Sequence, residues 1–225
     1  MAVLPALRGQ GIGTRLLHTL EEGLRDRGRK QQTAFPELEK AARAFTEHHG
    51  FQSVMQTYSV NVEAKNVAPE AFAAAQAQVL ERGLTFITLL ESPDFADKVA
   101  QLQHRVYQAN HVHNPVPDFS LEQMHELWLS DEMNPATLFL ALENRKPVGF
   151  AALYGEGQSL ELAYFGVDPE HTALEPWLSL ALTGQALEFA AARGAVLEAE
   201  FDSLNPAAMA VLEGLNVDWG EAWVT

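Results

Sequence analysis

Three glycines in five positions, Gly9, Gly11 and Gly13, constrain this chain more than any other feature of its sequence. They follow Val3-Leu4-Pro5 and Arg8, and they open an amphipathic run from Thr14 to Arg27. Glycines spaced this closely let successive backbone N–H groups converge on one concave point. A helix starting there adds the positive end of its dipole, and the combination binds phosphate. The pattern is not G-x-x-x-x-G-K-[ST], because no Lys follows the last glycine. It is not G-x-G-x-x-G either, since the glycines are evenly spaced and no acidic ribose partner follows at the expected distance.

The segments after the loop read as alternating helix and strand. Leu16, Leu17, Leu20 and Leu24 recur at helical spacing, with Arg25, Arg27, Arg29 and Lys30 crowding the helix end, where cations suit the dipole. Gly28 is placed as a stop. A strand is expected over Gln31–Phe35, a helix over Glu37–His48 ending at Gly50-Phe51, and a strand over Ser53–Val62. His48-His49 reads as ordinary helix-end charge. Residues 63–83 read as a connector, helical from Ala71 to Gln78. Beyond it the expected order is strand (85–90), helices (95–108 and 121–129), a hairpin (137–142 and 148–154) and strand (159–167). Helix (178–193), strand (196–201), helix (206–212) and strand (222–224) complete it. Leu178, Leu182, Ala186 and Phe189 define one apolar face of the long helix.

The loop resembles the acyl-CoA loop of the GNAT superfamily of N-acyltransferases. The family signature V-x-P-x-x-R-G-x-G-[IVL]-G is met by Val3, Pro5, Arg8, Gly9, Gly11, Ile12 and Gly13. The resemblance implies that Val3, Arg8, Gly9, Gln10, Gly11, Ile12, Gly13 and Thr14 bind acetyl-CoA, the loop amides holding its pyrophosphate and the preceding strand pairing with the pantetheine arm. It also implies an α/β fold of the α+β type with a mixed sheet. The order of the later elements matches the same family.

Residues 3–51 parallel 167–217. Val3-x-Pro5 matches Val167-x-Pro169, Arg27-Gly28 matches Arg193-Gly194, and Gly50-Phe51 falls where Asn216-Val217 falls. The chain therefore resembles a tandem GNAT protein. The expected division is residues 1–62 as the C-terminal half of a first domain, 63–83 as connector and 84–225 as a second, nearly complete domain. The first copy lacks its front half here: one strand, two helices and three strands. The second copy has lost the loop. Glu170-His171-Thr172-Ala173-Leu174-Glu175-Pro176-Trp177 offers no glycine and two glutamates, which side-chain sterics and like charge both set against phosphate. That copy is expected to pack or to shape a substrate site rather than to bind CoA.

Catalytic residues are not legible. The family's tyrosine acid falls on Thr46 in one copy and Leu212 in the other, and its helix-start asparagine on Glu39 and Asn205. Tyr107, Tyr154 and Tyr164 are candidate hydroxyl donors with nothing to choose among them. His111, His113 and Asp118 lie in the region that often lines the acceptor pocket of this family, and a plain surface loop is the alternative. His111-Val112-His113 has no third ligand at a recognisable spacing, so no metal site is read. Trp177, Trp219 and Trp223 read as core or interdomain packing.

Composition limits the function classes. The 225-residue chain has no Cys, which excludes disulfides, a thiolate nucleophile and a zinc finger. No signal peptide or membrane-length apolar run is visible, so a cytoplasmic protein is expected. A net charge of −15 argues against general nucleic-acid binding. The charge is uneven. Residues 1–30 hold six basic and three acidic residues; the rest of the chain's 15 and 30 leave nine basic and 27 acidic, net −18. The positive end is the end with the loop. The expected function is transfer of an acetyl group from acetyl-CoA to an amine of a small molecule, a cationic acceptor suiting the acidic surface. The alternative is a non-catalytic CoA-binding or structural relative, inactive as this chain. A homodimer covering an exposed edge strand near Val3 is a further expectation, as is a chain that forms the C-terminal part of a longer protein.

Overall fold

A computed structural model describes residues 3–25, 33–36, 39–112, 117–130, 133–218 and 222–225. Its strands form one eight-stranded mixed sheet. In chain order they are β1 (Phe35–Pro36), β2 (Gln56–Glu63), β3 (Thr85–Thr88), β4 (Leu138–Glu143), β5 (Lys146–Tyr154), β6 (Ser159–Val167), β7 (Val196–Asp202) and β8 (Ala222–Val224). Across the sheet the order is β1, β8, β2, β7, β6, β5, β4, β3. The helices are α1 (Ile12–Arg25), α2 (Lys40–His48), α3 (Glu70–Glu81), α4 (Ala96–Asn110), α5 (Leu121–Trp128), α6 (Trp177–Ala191) and α7 (Pro206–Leu215).

The sequence pattern places most of these elements within a few residues. The β4–β5 hairpin turns at Asn144-Arg145, both at positive φ (50° and 64°), which matches the twist of a tight two-residue turn. Asn205 caps α7, its Oδ1 accepting from the Ala207 and Ala208 amides at 3.0 and 3.1 Å. Ser120 and Gln123 form a reciprocal capping box on α5. The expected strand over 31–35 is described only from Thr33, and its paired part is Phe35–Pro36. Residues 37–38, expected as the start of α2, and 26–32, at the end of the first helix, lie outside the described residues.

The segments that the repeat pairs in sequence also interlock in space. β2 runs antiparallel beside β7 from Thr57↔Asp202 to Glu63↔Val196. β8 pairs with β2 on one side and with β1 on the other. The strand that ends each segment thus completes the sheet beside the other segment's strand. Val3 and Leu4 are not in a strand, and the sheet ends at β1 rather than near Val3.

Two apolar cores flank the sheet. One joins α3, α6 and α7 to β7, β6 and β5. The other packs α4 against β4 and β5 through Val99, Leu102, Val106, Leu138, Leu140 and Phe150. The expected connector is a core helix: Phe72, Ala75 and Val79 of α3 are buried. For that reason α6 is buried nearly all round, not on one face, with Leu178, Ala181, Leu182, Gly184, Ala186 and Ala190 all enclosed. On α1 only Leu17 is buried, while Leu16 and Leu20 are 41% and 45% exposed. Trp177 is half-buried under the Arg82 guanidinium, 5.0 Å from its ring centroid. Trp223 is 41% exposed rather than core, and Trp219 lies outside the described residues. Among the described residues, no helix is long and apolar enough to cross a membrane.

The seat of α4 on β6 depends on one missing side chain. A Cβ on Gly166 would stand 2.5 Å from Val106 Cγ1. Gly166→Ala is expected to cost about 1–3 kcal/mol, read by urea unfolding. The double variant with Val106→Ala should recover part of that loss.

Candidate functional site

The Arg8–Gly13 loop is shaped by its own backbone bonds. Pro5–Leu7 forms a single helical turn, and the Arg8 amide donates to the Pro5 carbonyl at 3.2 Å. The Arg8 side chain folds back, its Nε donating to the Val3 carbonyl at 3.2 Å. Gly9 and Gly11 take φ values of 77° and 73°, which L side chains rarely adopt. The Arg15 amide closes the first turn of α1 onto the Gly11 carbonyl at 3.1 Å. The amides of Ile12, Gly13 and Thr14 precede that turn and have no partner within the helix. Helix α2 lies close: a Cβ on Gly13 would meet the Phe45 ring at 3.1 Å, and Thr14 Oγ1 is 3.1 Å from His49 Nε2.

A groove of about 730 Å³ opens beside this loop. Val3, Arg8, Gly9, Gly11, Ile12, Gly13 and Thr14 line it, and Phe35, Glu39, Phe45 and Thr46 form its other side. Of the expected loop residues only Gln10 is not on the groove wall; its carbonyl accepts from the Arg15 guanidinium at 3.4 Å. Thr46, the position at which the resemblance implied a tyrosine, stands on the groove, and its Oγ1 donates back to the Ala42 and Arg43 carbonyls. Glu39 starts α2 with no side-chain cap, unlike Asn205 on α7. No tyrosine is among the described residues that line this groove.

The corresponding segment after β6 is filled by its own side chains. Asp168 accepts from the Glu170 amide at 3.1 Å and pairs with the Arg105 guanidinium. Burial opposes its ionisation, but Arg105, the Glu170 amide and His171 together hold its carboxyl below the usual range. Glu175 accepts the Val167 amide, and burial pushes its carboxyl up. Two carboxylates of this segment thus take up two of its own backbone amides, those of Glu170 and Val167. Leu212, where the sequence repeat was expected to align a tyrosine, is buried core at 1% exposure.

A second cavity, of about 850 Å³, lies where β6 and β7 part. The two strands pair in parallel only from Ser159↔Val196 to Leu162↔Ala199, although both continue. An extra residue in β6, Ala163, shifts its register against β5 and turns the strand away. Tyr107, Tyr154 and Tyr164 all line this cavity, with His111, Trp128 and Gln103. Burial, then the field of Asp202, pushes the Tyr107 phenol up; burial, then Tyr107 and Glu161, does the same to Tyr164.

Of the two expected acceptor residues that are described, His111 lines the cavity and Asp118 does not. His111 stacks on Tyr107 at 3.7 Å, and its Nδ1 lies 2.9 Å from the Tyr107 carbonyl. Asp118 is exposed and accepts from Gln108 Nε2 at 3.2 Å, and His113 lies outside the described residues. The carboxylates Glu156, Glu161, Glu200 and Asp202 on the cavity wall had no marking motif. Their alternation with apolar residues along each strand was readable, but not that the two strands adjoin. Among the described residues, no group of three or more His, Asp or Glu side chains is placed to hold a metal ion.

A family profile described as an acetyltransferase (GNAT) domain matches residues 1–53. No curated protein matches the sequence. Among solved structures the chain is similar to a GCN5-related N-acetyltransferase from Sphaerobacter thermophilus, at 18% identity and TM-score 0.65, covering 99% of this chain and 69% of that one. It is similar to the GCN5-related glucosamine N-acetyltransferase region of a fungal multi-domain GH3 β-N-acetylglucosaminidase, at 17% identity and TM-score 0.69, covering 99% and 28%. A tandem GNAT protein from the clavulanic acid biosynthesis pathway matches at 16% identity and TM-score 0.58, covering 99% and 71%. The mixed sheet and its flanking helices are therefore those of the GNAT fold, and the family profile falls on the segment that carries the glycine loop.

Asp168 ties the filled segment to α4, so Asp168→Asn is expected to cost about 1–2 kcal/mol at neutral pH, the half-exposed Arg105 limiting the effect. A carboxyl held below its ordinary value of 3.8 stabilises the fold above that pH and loses the contribution as pH falls further. The stability gap between wild type and Asn variant, followed by chemical unfolding, should therefore narrow below pH 3.8.

Proposed function

We propose that the Arg8–Gly13 loop holds the pyrophosphate of acetyl-CoA and that the chain works as a GNAT-type N-acyltransferase on an amine of a small molecule. The observation that carries this reading is the loop itself: two glycines at positive φ open a groove above helix amides with no intrahelical partner. The family profile over residues 1–53 and the GNAT fold support it. Arg8 adds a cation on the groove wall beside the phosphate position. Transfer in this family joins the amine nitrogen to the thioester carbonyl carbon and breaks the C–S bond. The amine gives up a proton, and the departing thiolate takes one.

The proposed organisation is a half copy over residues 1–62, a helical connector over 63–83 and a second copy over 84–225. The repeated order of α1–β1–α2–β2 and α6–β7–α7–β8 supports it, as does their reciprocal strand pairing. The second copy leaves CoA to the first, since its segment has no glycine and sets Glu175 and Asp168 on the Val167 and Glu170 amides. A cytoplasmic setting and a homodimer belong to the same proposal. One observation favours a second reading, a CoA-binding protein without transfer: Thr46 is bonded to its own helix, and the groove presents no tyrosine among its described lining residues.

Isothermal titration with acetyl-CoA tests the reading. Wild type should bind in the micromolar range. Gly11→Glu, which adds both a strained φ and a carboxylate, should weaken binding at least tenfold, about 1.4 kcal/mol or more. Gly23→Ala, in open space on α1, should bind as wild type does. A folded wild-type chain that does not bind would remove the proposal. Binding without acetyl transfer to any amine in a screen would leave the second reading.

A further inference from the structure

Helix α1 carries the glycine loop, yet Leu17 is its one buried residue. Its place on the molecule therefore rests on a few contacts near its first turn, and two of them come from α2. The Phe45 ring comes so close to Gly13 that an added Cβ would stand 3.1 Å from it. One residue further on, Thr14 Oγ1 is 3.1 Å from His49 Nε2. His49 reads in the sequence as ordinary helix-end charge, and it is not among the residues that line the groove.

Thr14 differs from Thr19 and Thr46. Thr19 Oγ1 donates back to the Arg15 carbonyl at 2.9 Å, and Thr46 Oγ1 to the Ala42 and Arg43 carbonyls at 3.1 and 3.0 Å. Back-bonding of this kind bends a helix slightly. The Thr14 hydroxyl meets the end of α2 instead, and the carbonyl four residues before it, that of Gln10, faces the Arg15 guanidinium. The half-buried His49 ring is held for this contact on several sides. Its centroid lies 4.6 Å from that of Phe45, 5.1 Å from His48 and 6.1 Å from His18. The backbone beneath it is fixed as well. The His49 amide donates to the Phe45 carbonyl at 3.2 Å, Gly50 takes a φ of 80°, and the Phe51 amide donates to the Thr46 carbonyl at 3.0 Å.

We propose that His49 is a positioning residue for the loop: through Thr14 Oγ1 it fixes the first turn of α1, and so the direction of the Ile12, Gly13 and Thr14 amides. Its consequence for ligand binding rests on the reading that these amides hold the pyrophosphate of acetyl-CoA. One polar bond matters here because the chain before the helix is glycine-rich, and glycine leaves the backbone many conformations. Leu17 anchors the helix only about a turn further on. Amides that converge on one anion have to share a direction, and donors already set in place bind more tightly than donors ordered on binding. Without His49, the Thr14 hydroxyl is free to bond back toward the Gln10 carbonyl and bend the turn. His49 touches no lining atom except through Thr14 and the Phe45 ring, so it acts on the ligand at second hand.

Two measurements on the full chain test this: calorimetric titration with acetyl-CoA, and amide hydrogen exchange over residues 12–19 without ligand, read by mass spectrometry. His49→Phe keeps a ring against Phe45 and removes the nitrogen. It should weaken binding about fivefold or more and speed the exchange. His49→Gln sets an amide group within reach of Thr14. It should bring affinity back to within about twofold of wild type and restore the wild-type exchange. Thr14→Val should weaken binding as His49→Phe does. The double variant Thr14→Val/His49→Phe should bind no more weakly than the weaker single variant, because both remove the same bond. His48→Gln, at an exposed neighbour, should bind as wild type does. The inference is overturned if His49→Phe leaves the exchange unchanged, or leaves affinity unchanged in a chain that binds. It is overturned as well if His49→Gln restores nothing that His49→Phe lost, or if the two single losses multiply in the double variant. A folded wild-type chain that binds no acetyl-CoA defeats the reading of the loop as a CoA site. The exchange of the Phe and Gln variants then still decides whether His49 sets the turn, so the two proposals fail separately.

Discussion

The antiparallel run of β2 against β7 is the constraint on which the rest of the molecule depends. It places a strand from the first 63 residues between β7 and β8, so neither segment closes its own sheet. Backbone N–H and C=O groups in a buried sheet must be paired, and here each segment supplies the partner that the other lacks. The α3 helix that follows β2 is carried across onto α6 by this crossing. The core on that face therefore contains residues from both ends of the chain, and α6 is buried on sides that a simple amphipathic helix would leave wet.

The same backbone position carries opposite chemistry in the two segments. Before α1, glycines at positive φ turn amides toward a groove. Before α6, Asp168 and Glu175 take up the amides of Glu170 and Val167. One segment leaves its amides facing an open groove, and the other bonds two of them to its own carboxylates. A glycine turn has little local stability of its own, whereas the Asp168 segment is tied to α4 through Arg105. The carboxylates Glu156, Glu161, Glu200 and Asp202 line the second cavity, whereas Arg8 and Glu39 are the charged residues on the described wall of the groove.

The order of helices and strands was legible because each is short, bounded by Gly, Pro or Asn, and patterned at the helix or strand period. The hairpin at Asn144-Arg145 and the capped start of α7 are the clearest cases. The Arg8–Gly13 loop was legible for the same local reason: positive φ and close approach are demands that residue identity alone can signal. What the sequence left open shares a different cause. Burial within residues 63–83 was not legible because alanine and glutamine carry little pattern, and Phe72, Ala75 and Val79 of that helix are core. The helical spacing of Leu16, Leu17 and Leu20 did not say which of them is enclosed: Leu17 is buried, and Leu16 and Leu20 are exposed. Burial depends on what lies opposite, and no periodicity names that partner.

By itself, the sequence determined the local conformations: the glycine loop, the helix and strand order, and the loss of glycines after Val167. Those depend on interactions within a few residues. Only the tertiary structure decided that β2 inserts beside β7, that β6 and β7 part after Leu162, and that Gln103, Trp128, Glu161 and Glu200 line one cavity. These depend on groups far apart in the chain. Their meeting is set by the satisfaction of sheet hydrogen bonds and the filling of a shared core, which leave no mark on any single stretch of residues.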